Sequence, residues 1–110
     1  MNSDAVRLHH MLEAALEASA FAGGETRESL EADRKLALAI IKDLEIIGEA
    51  AAKVSPATRQ QHSQVPWSLI VGMRNRLIHA YFDVDYDQVW SAVTKDLPLL
   101  VSVLRDALAE

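Results

Sequence analysis

Wherever apolar residues recur regularly in this chain, they recur with the period of an α-helix. The longest such pattern runs from about Thr26 to Val54. One stripe passes through Leu30, Ala37, Ile40 or Ile41, Leu44, Ile47, Ala51 and Val54. A second, through Leu36, Ile40, Ile46 or Ile47 and Ala50, widens the apolar surface beyond one face. A helix that apolar is expected to pack on two sides, within a bundle and against a second subunit. Gly48, Ala50, Ala51 and Ala52 have little side chain, so another backbone can approach closely there. Asp43 falls on an apolar side, where a buried carboxylate needs a cationic partner.

The remaining segments read the same way. A first helix spans about Asp4 to Phe21, with Asp4 as N-cap and Gly23-Gly24 as its end. His9 and His10 near its start point about 100° apart on a helix and form no bidentate metal pair. Ser55-Pro56 has the cap and first-turn chemistry of a short helix over Ala57 to Gln61. A polar loop from His62 to Val65 leads to Pro66, which opens a fourth helix with Trp67, Ile70 or Val71, Leu77 and Ile78 inward. Asp85 is the expected N-cap of a fifth helix, and Pro98 should kink it. With no strand alternation and no repeat, the expected fold class is all-α: an up-and-down bundle of four to five helices in one domain, residues 1–110.

Composition narrows the function. The chain has no cysteine, which removes disulfides, thiol catalysis and cysteine-ligated metals. No apolar run reaches membrane length and the N-terminus has no signal-peptide pattern, so a cytoplasmic protein without membrane association is expected. The net charge of −5 argues against a general nucleic-acid binder, but the charge is unevenly spread. No acid occurs between Ala50 and Phe82, a window that holds Lys53, Arg59, Arg74 and Arg76 with His62 and His79. Helix-end placement of charges accounts for such a window, and so does a local anion site on an acidic body.

Within it, Arg74-Asn75-Arg76-Leu77-Ile78-His79-Ala80-Tyr81 concentrates polar chemistry in an otherwise apolar helix. Polar groups of this kind need partners if buried. Arg74 and Tyr81 lie about 20° apart, two turns along one face, whereas Arg74 and His79 lie about 140° apart. Arg74 and His79 can address one phosphate only if the helix ends near His79, or if two copies share the site. A two-fold dimer would bring each motif close to its twin. With no acidic cluster beside the motif, hard-metal hydrolysis is disfavoured and no cofactor is expected. Histidine suits proton transfer near neutral pH, and arginine offers a bidentate fork to a phosphoryl group gaining charge. In RNA the 2′-hydroxyl next to the scissile phosphate can be the nucleophile. Structural readings stand beside these: Arg74 paired with Asp43, His79 as a satisfied core histidine, and Tyr81 as a core-edge residue.

The segment Arg74-x4-His79-x-Tyr81, with Asn75 after the arginine, resembles the signature of HEPN domains, specifically the HepT-like toxin branch. The block Ile46-Ile47-Gly48-Glu49-Ala50-Ala51 is similar to the family's glycine-containing second-helix segment. Pro66-Trp67, Gly72-Met73-Arg74-Asn75, Tyr81-Phe82, Val84-Asp85 and Trp90…Asp96-Leu97-Pro98 extend the likeness over most of the chain. The resemblance implies an all-helical homodimer with the motif at an interface cleft, and metal-independent endoribonuclease activity on RNA. Arg74 and His79 match the family's catalytic pair, and Asn75 and Arg76 fall at substrate-positioning places. It further implies a type VII-like toxin–antitoxin system, in which a small nucleotidyltransferase-fold antitoxin transfers AMP to the motif tyrosine, here Tyr81. The alternative is a non-catalytic dimeric HEPN module that binds a nucleotide or a nucleotidyltransferase partner.

Overall fold

A computed structural model describes residues 3–80 and 83–109, and its described residues are helical apart from turns and short connections. In order the elements are α1 (Ser3–Ala22), α2 (Ser29–Ala32), α3 (Arg34–Ala52), α4 (Pro56–Gln61), α5 (Trp67–His79), α6 (Tyr86–Ser91), a π-helical turn (Ala92–Asp96) and α7 (Leu97–Leu108). The all-α expectation holds. Among the described residues, no helix is long and apolar enough to cross a membrane.

The anticipated long second helix is broken. Asp33 leaves helical geometry at φ −125°, ψ 98°, and its carboxylate accepts from the Leu36 backbone N–H. It therefore caps a new helix and leaves α2 as a single turn. Asp4 also does something other than expected. The first helix already includes Ser3, and the Asp4 carboxylate reaches across to the start of α4. It accepts from the Ser55 N–H at 3.1 Å, the Ser55 hydroxyl at 2.5 Å and the Thr58 hydroxyl at 2.6 Å. Those bonds, with that of Ser55 first, hold the Asp4 carboxyl below its ordinary value.

Local cap chemistry sets the other starts as expected. Ser55 accepts from Thr58 N–H at the head of α4, with Pro56 in the first turn. Asp85 accepts from the Asp87 and Gln88 N–H groups and starts α6. Pro98 is accommodated by the π-turn just before it, where the Leu97 N–H bonds back five residues to the Ala92 carbonyl. A proline cannot supply the bond to a carbonyl four residues earlier. The wider turn places the ring in the first turn of α7, where no such bond is needed.

The core is one cluster, centred on Met11, Ala15 and Ala18 of α1, Ile40 and Ala51 of α3, and Leu104 of α7. Helix α3 lies between α1 and α5, and α1 also packs on α7. Both apolar flanks of α3 are thus occupied within the chain, while Leu38 and Ile46 stay exposed. The close approach expected at Gly48 is made by α5. A β-carbon built on Gly48 would stand 2.2 Å from Arg74 Cβ and 2.8 Å from its Cγ. Only glycine lets the two helices cross there.

Candidate functional site

Helix α5 carries the motif. Trp67 and Leu77 anchor it in the core, and the Trp67 indole N–H donates to the His62 carbonyl at 3.1 Å. Arg59 of α4 lies 5.7 Å from the centre of the Trp67 ring and donates to the Ala51 carbonyl at 2.8 Å, so it is a structural cation. The helix stops at His79, and the Ala80 N–H bonds to the Arg76 carbonyl. Of the two conditions that allow Arg74 and His79 to address one phosphate, an end of the helix at His79 is met. Arg76 and His79, in the last turn, favourably face the negative end of the helix dipole.

The Arg74 stem lies on Gly48, which fixes where its guanidinium emerges. Nη1 donates to Asn75 Oδ1 at 3.0 Å and Nη2 to Glu49 Oε2 at 2.5 Å, while Nε is buried without a hydrogen-bond partner. The other Glu49 oxygen lies 3.5 Å from Lys53 Nζ, one helical turn on. The Arg74 hydrogen bond and charge, with a smaller part from Lys53, hold the Glu49 carboxyl below its ordinary value. Arg74 is 28 % exposed at its side chain and remains open to a ligand.

Arg74 does not pair with Asp43. Asp43 is 2 % exposed, its Oδ2 has no partner, and burial, followed by hydrogen bonding and charge from Glu17, pushes its carboxyl up to about 7. Raised that far, it keeps its proton below about pH 7, and it has no ion pair among the described residues.

The structure brings Arg74 and Asn75 together. It sends Arg76 elsewhere, about 200° round the helix from Arg74. Arg76 folds over Gly72 at the edge of an apolar groove of about 510 Å³. The groove runs between α5 and the π-turn and α7, with Leu44 and Ile47 of α3 also in its lining. Leu69 and Leu99, 73 % and 72 % exposed, stand on its two sides. Ile78, expected inward, is 37 % exposed. His79 is exposed, so the reading of it as a core histidine fails. Neither Arg76 nor His79 has an ion-pair or hydrogen-bond partner among the described residues. Tyr81 lies outside the described residues. Glu49 was missed: it stands one position before the acid-free window begins, and its contact with Arg74 spans 25 residues.

The family model "Ribonuclease HepT-like" matches residues 11–107. A protein of Caldanaerobacter subterraneus subsp. tengcongensis, named a "Putative RNase", is 40 % identical over 85 residues, covering 77 % of this chain and 76 % of its own length. A "Probable ribonuclease HepT" of Thermococcus cleftensis is 41 % identical over 73 residues, 66 % of each chain. A "Putative RNase" of Methanocaldococcus jannaschii is 42 % identical over 66 residues, 60 % of this chain and 61 % of its own. No solved structure matches.

Proposed function

Because the chain belongs to the HepT-like ribonuclease family, we propose that it is a metal-independent endoribonuclease toxin, with Arg74 and His79 as its catalytic groups. The observation that carries this reading is the end of α5. His79 is the last residue of the helix, exposed and unpaired among the described residues, one and a half turns beyond an arginine held by its stem and two terminal nitrogens. The imidazole takes the proton from a ribose 2′-hydroxyl. The 2′-oxygen attacks phosphorus, the bond to the 5′-oxygen breaks, and a proton passes to that leaving oxygen. The products are a 2′,3′-cyclic phosphate and a 5′-hydroxyl, and no water or metal enters the balance. Arg74 stabilises the charge that grows on the non-bridging oxygens.

Two copies share the work in this reading. Arg74 faces the α3 side of α5 and His79 lies about 140° away, so a second α5 would complete each cleft. The apolar groove flanked by Leu69 and Leu99 offers a surface for that contact. Control falls to a nucleotidyltransferase-fold antitoxin that transfers AMP to Tyr81.

The test is RNA cleavage by the purified protein. Activity that survives EDTA, leaves a cyclic phosphate and is lost in His79→Ala supports the reading. Loss with EDTA that a divalent ion restores overturns it. A monomer by light scattering at micromolar concentration overturns the shared site. Arg74→Lys should cut kcat/KM by about tenfold or more, because an ammonium cannot reproduce the planar fork.

A further inference from the structure

The donors of Arg74 can be counted. A guanidinium has five N–H bonds, one on Nε and two on each terminal nitrogen. The Nε–H is buried and unpartnered, so a ligand cannot reach it. Asn75 takes one N–H of Nη1 and Glu49 takes one of Nη2. What remains is one N–H on each terminal nitrogen, two donors for phosphate oxygens. These donors keep a fixed direction only while both acceptors hold their places.

Asn75 is the next residue on the same helix and moves with Arg74. Glu49 does not, because it belongs to α3, and it ties the guanidinium to a different element of the core. Its backbone adjoins Gly48, against which the Arg74 stem is packed, so stem and head are both referenced to one point on α3. Lys53 contacts the second carboxylate oxygen and restrains its rotation.

We propose that Glu49 is a positioning residue for Arg74: it takes one terminal N–H and so aims the remaining terminal donors at the phosphate of the RNA. This rests on the ribonuclease reading. Glu49 touches no substrate in this arrangement and acts through the arginine alone. An exposed ion pair contributes little to stability, so its removal should be felt in the chemistry and not in the fold.

The experiment compares Glu49→Ala and Glu49→Gln with wild type, by cleavage kinetics, thermal melting and nitrogen-15 NMR of the Arg74 guanidinium. The amide of Gln keeps an oxygen acceptor at nearly the same place, and Ala keeps none. Glu49→Ala should lower kcat by about tenfold or more with KM changed less than about threefold, because the lost alignment matters most where charge develops. Its melting temperature should stay near that of wild type. Glu49→Gln should recover most of the rate, and rotation of the Arg74 terminal nitrogens should be slow in wild type and in Gln but fast in Ala. An Ala variant with wild-type kcat overturns the assignment, and so does one whose loss tracks a fall in melting temperature or is not recovered by Gln. If wild type cleaves no RNA, the ribonuclease reading fails, and the NMR comparison decides separately whether Glu49 fixes the arginine. Unchanged guanidinium rotation in Glu49→Ala overturns the positioning role in either case.

Discussion

Asp43 makes the stability of this bundle depend on pH in an unusual direction. Its carboxyl is pushed from an ordinary 3.8 up to about 7, chiefly because it is buried between α3 and α1, and further because Glu17 stands beside it. Between about pH 4 and pH 7 the folded chain holds a proton that the unfolded chain has released. Stability from this group is therefore fully present below pH 4, declines as pH rises, and is gone above about pH 7. At roughly 1.4 kcal/mol for each pH unit, the whole effect has an upper bound of about 4 kcal/mol; relaxation and water entry reduce it to about half in a real interior. Asp43→Asn keeps the shape and cannot ionise. It should match wild type within about 1 kcal/mol at pH 5 and exceed it by about 2 kcal/mol at pH 8. Urea unfolding of both proteins at matched concentration, at intervals from pH 5 to pH 8, measures the difference while groups common to both cancel. A difference that stays flat across that range would show that Asp43 titrates normally, and would refute the reasoning.

Gly48→Ala must push α3 and α5 apart, since its β-carbon would stand 2.2 Å from Arg74 Cβ; a loss of about 2 kcal/mol or more in denaturant unfolding is expected. Cleavage at a temperature where the variant is fully folded should fall as well, because the arginine stem moves with its helix. Asp4→Ala removes the acceptor of Ser55 N–H, the Ser55 hydroxyl and the Thr58 hydroxyl. Hydrogen exchange in α4 should quicken, and part of the destabilisation that wild type shows as pH falls through the acid range should disappear. Tyr81→Phe should fold, cleave RNA and escape control, its intact mass unchanged after co-expression with the nucleotidyltransferase; full neutralisation with an adduct at another residue would refute the acceptor role.

What the sequence made legible was mostly what neighbouring residues decide. Ser55-Pro56 and Asp85 start helices because their side chains bond N–H groups two or three residues on, and that geometry needs nothing from the rest of the chain. The end of α5 at His79 was open to the same reasoning only as a condition. The Asp33 break was hidden, because an apolar stripe continues across it and its capping bond to Leu36 looks in sequence like one more charge on a helix surface. The placement of Arg76 was not legible from proximity: two residues from Arg74 along the chain, it is on the far side of the helix beside an apolar groove.

The alternative reading that pairs Arg74 with Asp43 fails for a geometric reason. Asp43 and Glu49 lie six residues apart on α3, which turns the second about 120° from the first and carries it about 9 Å along the axis. Since α3 is packed between α1 and α5, that rotation separates the two neighbours. Asp43 meets Glu17 of α1, and Glu49 meets Arg74 of α5. An apolar surrounding marks Asp43 as the acid in need of help, but burial solves that need by raising its proton affinity, without a cation. The acid that can reach Arg74 must instead stand beside the point where α5 comes closest, and that point is fixed by the residue that has no side chain. Gly48 thus locates the ion pair as well as the helix crossing, because a carboxylate one position on is at the rim of the contact, near enough to bond the guanidinium and exposed enough to stay ionised.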